Sequence, residues 1–199
     1  LGNFFTVREV LKKYRPEIIR FFILSSHYRS PLNYSDEQLN EAAAALTRLY
    51  TALRGIKTNN QTVETEYKNR FEQAMNDDFN TPVGLSVLFD LARELNKAKD
   101  KDQAKADILA GSLRALASLL GLLQDDAESF LKGQVTSDSF NDSGSETLSE
   151  TEIEAKIQAR LGAKKAKNWA LADQIRNELK EQGVILEDAP NGNCTWRRG

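Results

Sequence analysis

Several residue types are scarce in this chain of 199 residues, which has one cysteine, one histidine, one methionine and four prolines. Cys194 alone cannot form an internal disulfide, and with His27 as its only possible companion it cannot complete a Cys/His zinc site. A reducing compartment follows, so a cytoplasmic location is expected. No apolar run approaches the ~20 residues that cross a bilayer, and no secretory leader is readable, so no membrane attachment is expected. A Walker loop, a GxGxxG turn and a Ser-His-Asp set are all missing, which leaves no catalytic constellation to argue from. Alternating β-branched runs are also missing before residue 124, and this excludes a large sheet. The chain opens on Leu1 and its one methionine is Met75, so it is expected to be a piece of a longer protein.

What is present suits a helical protein with a core. Hydrophobic residues make up 40% and charged residues 28%, within the range of soluble domains. The net charge of −2 conceals an uneven distribution. Residues 1–123 carry 17 basic against 15 acidic side chains, and residues 151–199 carry nine against seven. Between them, 124–150 holds Lys132 alone against seven acids, in a Ser/Asp/Gly-rich composition with few aliphatics. Such a segment buries too little to offset its ordering entropy and reads as a mobile linker. Residues 1–31 are locally basic, through Arg8, Lys12, Lys13, Arg15, Arg20 and Arg29. Solvated helix faces account for that more readily than a polyanion partner does.

Helix signals recur along the first 123 residues. Thr6 and Glu9 form a capping box before Val7–Leu11, and Pro16 suits the first turn of a second helix. That second helix is apolar nearly all round, which predicts a central position. Ser35 and Gln38 lead into a third helix ending near Gly55, and a fourth is expected over roughly 63–76. Thr81 is expected to cap a fifth helix begun by Pro82, with Val83, Leu88, Phe89, Ala92 and Leu95 inward. Asp77 and Asp78 precede it, where negative charge favours the helix dipole. A sixth helix is expected over about 102–123, with Leu119 and Leu123 on its inward stripe. Six amphipathic helices on short loops predict a bundle.

The last 49 residues read differently. Ser149 and Glu152 cap one helix, Asn168 a second, and Gly183 stops it. Val184–Glu187 and Cys194–Arg197 then predict a hairpin, in a domain small enough for its core to be marginal. In the helix after Asn168, Leu171, Ile175 and Leu179 fall on one face, while Trp169, Asp173, Arg176 and Lys180 fall on the other. Lys164, Lys165 and Lys167 lie close by. A flat ring stacks an unpaired base, an aspartate accepts from a base edge, and lysines hold phosphates. Packing of Trp169 onto the hairpin or the preceding helix is an equal alternative on these grounds. Trp196 reads as core. His27, beside Tyr28 and Arg29, reads as a packing residue more readily than as a phosphate contact.

At these stretches the chain resembles the cysteinyl-tRNA synthetases. Leu1–Thr6 is similar to the continuation of the class I "KMSKS" signature. Residues 21–30 and 32–35 are similar to the segment joining the catalytic and helical domains. Asp78–Pro82 and Asp90-Leu-Ala-Arg93 match the helical, DALR-type domain. Residues 164–173, Leu186-Glu-Asp188 and Thr195–Arg198 match the terminal domain. The resemblance implies a mainly α fold: a connecting segment over 1–34, a DALR-type bundle over 35–123, the acidic linker over 124–150, and a small α+β anticodon-recognition domain of two helices and a hairpin over 151–199.

It also implies a function. The full enzyme would join cysteine to tRNA-Cys through a cysteinyl-adenylate, using ATP and a zinc that binds the thiol. Those groups would belong to a catalytic domain outside this chain, which alone is expected to be inactive, to bind no cofactor and no metal, and to be a monomer. Trp169, Asp173, Asp188 and Lys164 fall at anticodon-contacting positions, Lys164 where the family commonly has arginine. Lysine lacks the planar fork of arginine, so that position departs from the pattern. Arg20, His27, Arg29, Lys165, Lys167 and Arg197 are candidates for the tRNA backbone. Two other functions remain open: a helical protein-interaction module, and part of a related ligase joining cysteine to a sugar amine.

Overall fold

The computed structural model describes residues 6–56, 62–133, 148–188 and 192–198. The chain divides into two compact units, the first ending at Glu128 and the second running from Ser129.

The first unit is a helical bundle. Helix α1 spans Val7–Lys13, and Thr6 and Glu9 cap it reciprocally, as their spacing predicts. Helix α2, Pro16–Leu24, starts on its proline. Helix α3 is Asp36–Leu53, with Ser35 accepting from the Gln38 backbone N–H. Helices α4 (Thr65–Asn76), α5 (Thr81–Ala98) and α6 (Gln103–Leu119) complete the bundle. Leu39, Leu46 and Leu49 of α3, Phe71 of α4, Leu88, Leu91 and Leu95 of α5, and Leu109 and Leu113 of α6 are fully buried and form its core. Gly84 of α5 faces α4, where a Cβ would meet the flexible end of Met75 at 2.8 Å and the Phe71 ring at 3.4 Å.

Four expectations need correction in this unit. Helix α2 buries Phe21 and Phe22 but leaves Ile23 54% exposed, so it lies at the edge of the core and not at its centre. Asn80, not Thr81, caps α5, its side chain accepting from the Val83 N–H. On α5 the expected Leu88, Ala92 and Leu95 are buried, but Val83 is exposed and Phe89 only half-buried, and Gly84 and Leu91 complete the inward face instead. Helix α6 ends at Leu119, itself exposed, because Gly121 and Leu123 adopt positive φ and turn the chain away. Leu123 still ends buried, with its N–H donated to the Glu17 carboxylate.

Within the stretch read as linker, Ala127–Leu131 form the short helix α7, and Ala127, Phe130 and Leu131 are buried. Residues 134–147 of that stretch lie outside the described residues.

In the second unit, α8 (Glu150–Lys165) begins at a Ser149/Glu152 capping box and α9 (Trp169–Glu181) at the Asn168 cap. Strands β1 (Val184–Asp188) and β2 (Cys194–Arg198) pair antiparallel, with Leu186 opposite Trp196 and Asp188 opposite Cys194. Ile153, Ile157, Ile175, Leu179, Val184, Leu186 and Trp196 make the core. Trp196 is thus packed inside, with the Lys132 ammonium 5.3 Å from its ring centroid. On α9 the buried set is Ala172, Ile175 and Leu179; Leu171, expected inward, is 41% exposed.

Candidate nucleic-acid interface

The turn from α8 to α9 brings cations and an aromatic ring together. Lys164 and Lys165 occupy the last turn of α8, where positive charge complements the helix dipole. Lys167 takes a left-handed conformation, φ 58°, and reverses the chain. Asn168 then caps α9 by accepting from the Leu171 N–H at 3.2 Å, and this sets Trp169 at the first helical position. The indole is 60% exposed. It does not pack onto the hairpin or the preceding helix in the way a core tryptophan would. Lys165, Lys167 and Asp173 are also exposed.

Asp188 closes β1 beside this turn. Its Oδ1 and Oδ2 accept from Nη1 and Nη2 of Arg160, each at 2.8 Å, and Oδ2 accepts from Lys164 Nζ at 3.1 Å. The Arg160 hydrogen bonds hold the Asp188 carboxyl well below the usual carboxylate range; partial burial opposes this and Lys164 reinforces it. The group therefore remains an acceptor at any ordinary pH. Asp173 adds to the negative field acting on Arg160.

The structure thus groups Lys164, Lys165, Lys167 and Trp169 on one turn, and ties Asp188 to that turn through Lys164. Arg197 stands apart. Its register partner is Ile185, so it projects from the hairpin face opposite to Leu186, Trp196 and Asp188, and its Nε donates to Glu187 at 2.9 Å. In the first unit, Arg20 donates to the Gly121 carbonyl at 2.8 Å. Arg29 grips Asp78, with Nε 2.6 Å from Oδ2, while the Tyr28 hydroxyl donates to Oδ1 at 2.7 Å. The His27 ring stacks on Tyr28 and its Nε2 lies 4.0 Å from Asp78. Asp78 accordingly serves as an ion-pair partner as well as preceding a helix. Its charge offsets that of Arg29 toward an incoming phosphate.

Arg160 was not singled out from the sequence, although a signal existed. Ile153, Ile157 and Arg160 recur at i, i+4 and i+7, so an arginine occupies the buried stripe of α8.

Among the described residues no group of three or more His, Cys, Asp or Glu side chains is placed to hold a metal ion. Cys194 and His27 are the one cysteine and the one histidine, too few for a Cys/His zinc site, and no step is derived through one. No helix among those described is long and apolar enough to cross a membrane.

Two family models match parts of the first unit. A family model described as the DALR domain matches residues 70–124, which takes in most of α4 and all of α5 and α6. A model described as the tRNA synthetases class I (C) catalytic domain matches residues 1–44, and so reaches into α3, beyond the expected limit of the connecting segment. The whole chain is 59% identical over 200 residues to a cysteine–tRNA ligase of Thioalkalivibrio sulfidiphilus.

Over its full length the chain matches the C-terminal part of cysteine–tRNA ligases.

Cysteine–tRNA ligases of Methylococcus capsulatus, at 56% identity, and of Escherichia coli, at 54%, also match over its full length. The chain spans 41% of the length of the Thioalkalivibrio relative and 42% of the Methylococcus one. The matched part of these ligases is C-terminal.

Proposed function

We propose that this chain is the tRNA-recognition portion of a cysteine–tRNA ligase, with the second unit binding the anticodon loop of tRNA-Cys and the first lying along the inner face of the tRNA. In this reading the whole protein joins cysteine to its tRNA with ATP, through a cysteinyl-adenylate, and the groups that handle ATP and a zinc-held thiol lie outside this chain. The observation that carries the reading is a tryptophan 60% exposed at the start of α9, on the same turn as three lysines, one of which donates to a carboxylate fixed as an acceptor. Unpaired bases stack on such rings, and lysines neutralise the phosphates between them.

The test is titration of the chain with an anticodon stem-loop of tRNA-Cys. Trp169→Ala is expected to weaken binding by ~1–3 kcal/mol, the scale of one lost base stack. Affinity is also expected to fall as salt rises, because lysines displace counterions. Equal affinities of parent and variant, or a titration indifferent to salt, would count against the reading.

A protein-docking role finds one supporting feature, an apolar groove of about 460 Å³ lined by Val7, Val10, Ile19, Phe22, Ile23, Leu32, Tyr34 and Leu39. The groove falls wholly within residues 1–44, matched by the catalytic-domain model. We read it as a face for the remainder of that domain, and not for an unrelated partner.

A further inference from the structure

The cations of the second unit fall into two groups. Lys132, Lys156, Arg160, Lys164 and Arg197 each meet a carboxylate of the same unit, and Arg198 donates to the Lys132 and Leu148 carbonyls. The others, Lys165, Lys167, Arg176 and Lys180, are exposed and form no ion pair among the described residues. These four share one surface. At about 100° per residue, Trp169, Asp173, Arg176 and Lys180 fall within roughly 60° of one another around α9, and Lys165 and Lys167 lie in the turn that leads to Trp169.

Arg176 and Lys180 are like charges at i and i+4, a spacing that destabilises a helix unless something offsets the repulsion. Asp173 stands at i−3 from Arg176, in reach of a pair, yet the two form none. Glu178 is turned the other way, where Lys156 of α8 holds it. Lys180 sits in the last turn of α9, where positive charge suits the helix dipole. Arg176, mid-helix, has no such reason to be there. We propose that Arg176 and Lys180 form a phosphate track along α9, which carries the backbone of the bound RNA from the base at Trp169 toward the stem of the same hairpin.

From Trp169 to Lys180 the helix rises about 16 Å, at ~1.5 Å per residue. A stacked strand advances about 3.4 Å per phosphate, so the stripe spans about five nucleotides. That is enough to pass from an unpaired loop base to the paired strand beneath it. Contacts of this kind fix the position of the RNA and read no sequence. The exposed indole at the head of the stripe favours a nucleic acid over an acidic peptide, because only the nucleic acid brings a flat ring with each negative charge. This inference rests on the second unit binding an anticodon loop, and extends it to side chains that meet no base.

The probes are the tRNA-Cys anticodon stem-loop and a copy whose stem linkages are neutral methylphosphonates, each titrated with the chain at several salt concentrations. On the ordinary stem-loop, the double variant Arg176→Gln/Lys180→Gln is expected to bind about tenfold more weakly than the parent, with the slope of log K against log salt reduced by about 1.4–1.8, the share of two phosphates. The parent is expected to bind the neutral-stem copy about tenfold more weakly than the ordinary one, and in the double variant that difference should shrink to within about twofold. Arg176→Lys keeps the charge and should keep the parent's slope. Trp169→Ala should weaken both probes and leave the slope unchanged, because the indole carries no charge. Both substituted side chains are exposed, so the urea midpoint of the double variant should stay near the parent's. A slope that the double variant leaves unmoved overturns the inference. So does a double variant that separates the two probes as strongly as the parent, or a parent that does not separate them. Failure of the parent to bind the ordinary stem-loop, or of Trp169→Ala to weaken binding, would instead overturn the anticodon reading itself and the inference with it.

Discussion

Glu17 in the first unit and Asp188 in the second each accept hydrogen bonds from two donors distant in sequence, and the donors differ in charge. Glu17 is buried and accepts from the Tyr50 hydroxyl at 2.7 Å and from the Leu123 N–H, both neutral. Tyr50 accepts in turn from the Asp125 N–H at 3.2 Å. Burial raises the Glu17 pKa, and these hydrogen bonds only partly oppose the rise. Asp188 is half-exposed and accepts from Arg160 and Lys164, and its pKa falls. Neutral donors fasten α2 to α3 and to the chain after α6. Cationic donors leave an acid ionised and half-exposed to solvent.

The largest effect that would sharpen this contrast is expected from Asp188→Ala. Removing the acid leaves the Arg160 guanidinium buried without its counter-charge, which costs about 3–5 kcal/mol. Both tryptophans, Trp169 and Trp196, belong to the second unit, so thermal unfolding followed by tryptophan fluorescence reads this loss there. An unchanged fluorescence midpoint would break the comparison. Glu17→Ala is expected to cost about 1–3 kcal/mol, because the Leu123 N–H loses its acceptor inside the protein. Far-UV circular dichroism, dominated by the helices of the first unit, follows this one.

The two acids should also answer pH with opposite sign. A raised folded pKa contributes stability that is complete below the unfolded value of ~4.3 and is lost as pH rises through the folded value, so Glu17 favours the first unit as pH falls from 7 toward 5. A lowered folded pKa contributes stability present above the unfolded value of ~3.9 and lost as pH falls toward the folded value, so Asp188 weakens the second unit only below about pH 4. Melting by circular dichroism and by fluorescence across this range should diverge, and parallel curves would remove the distinction. The smallest effect is expected from Trp169→Ala on stability. An exposed side chain that makes no capping hydrogen bond costs within about 0.5 kcal/mol when truncated, so the urea midpoint should barely move. A drop of several times that size would make the indole a packing residue.

Much of the fold was legible. The capping pairs Thr6/Glu9 and Ser149/Glu152, Pro16 at a first turn and Asn168 before α9 are local signals, and each marks a helix start in the structure. Helix faces were harder. Val83, Leu119 and Leu171 are apolar and at plausible spacing, yet exposed, because which neighbour covers a stripe is a property of packing. Trp169 was legible as lying off the apolar face, and the structure leaves it exposed. That Arg29 is engaged by Asp78, 49 positions away, was not legible, because an ion pair at that separation has no periodicity.

The sequence by itself determined that this is a helical chain with a small terminal hairpin, where its helices begin, and which ligase family it resembles. These follow from caps, turn residues and short motifs, all interactions between near neighbours. Only the tertiary structure decided that Arg160 lies inside, that it holds Asp188 from 28 residues away, and that one acid is fastened by neutral donors while the other is gripped by cations. Contacts at such separations arise when elements pack, and packing settles both the burial and the charge environment on which the behaviour of a carboxylate depends.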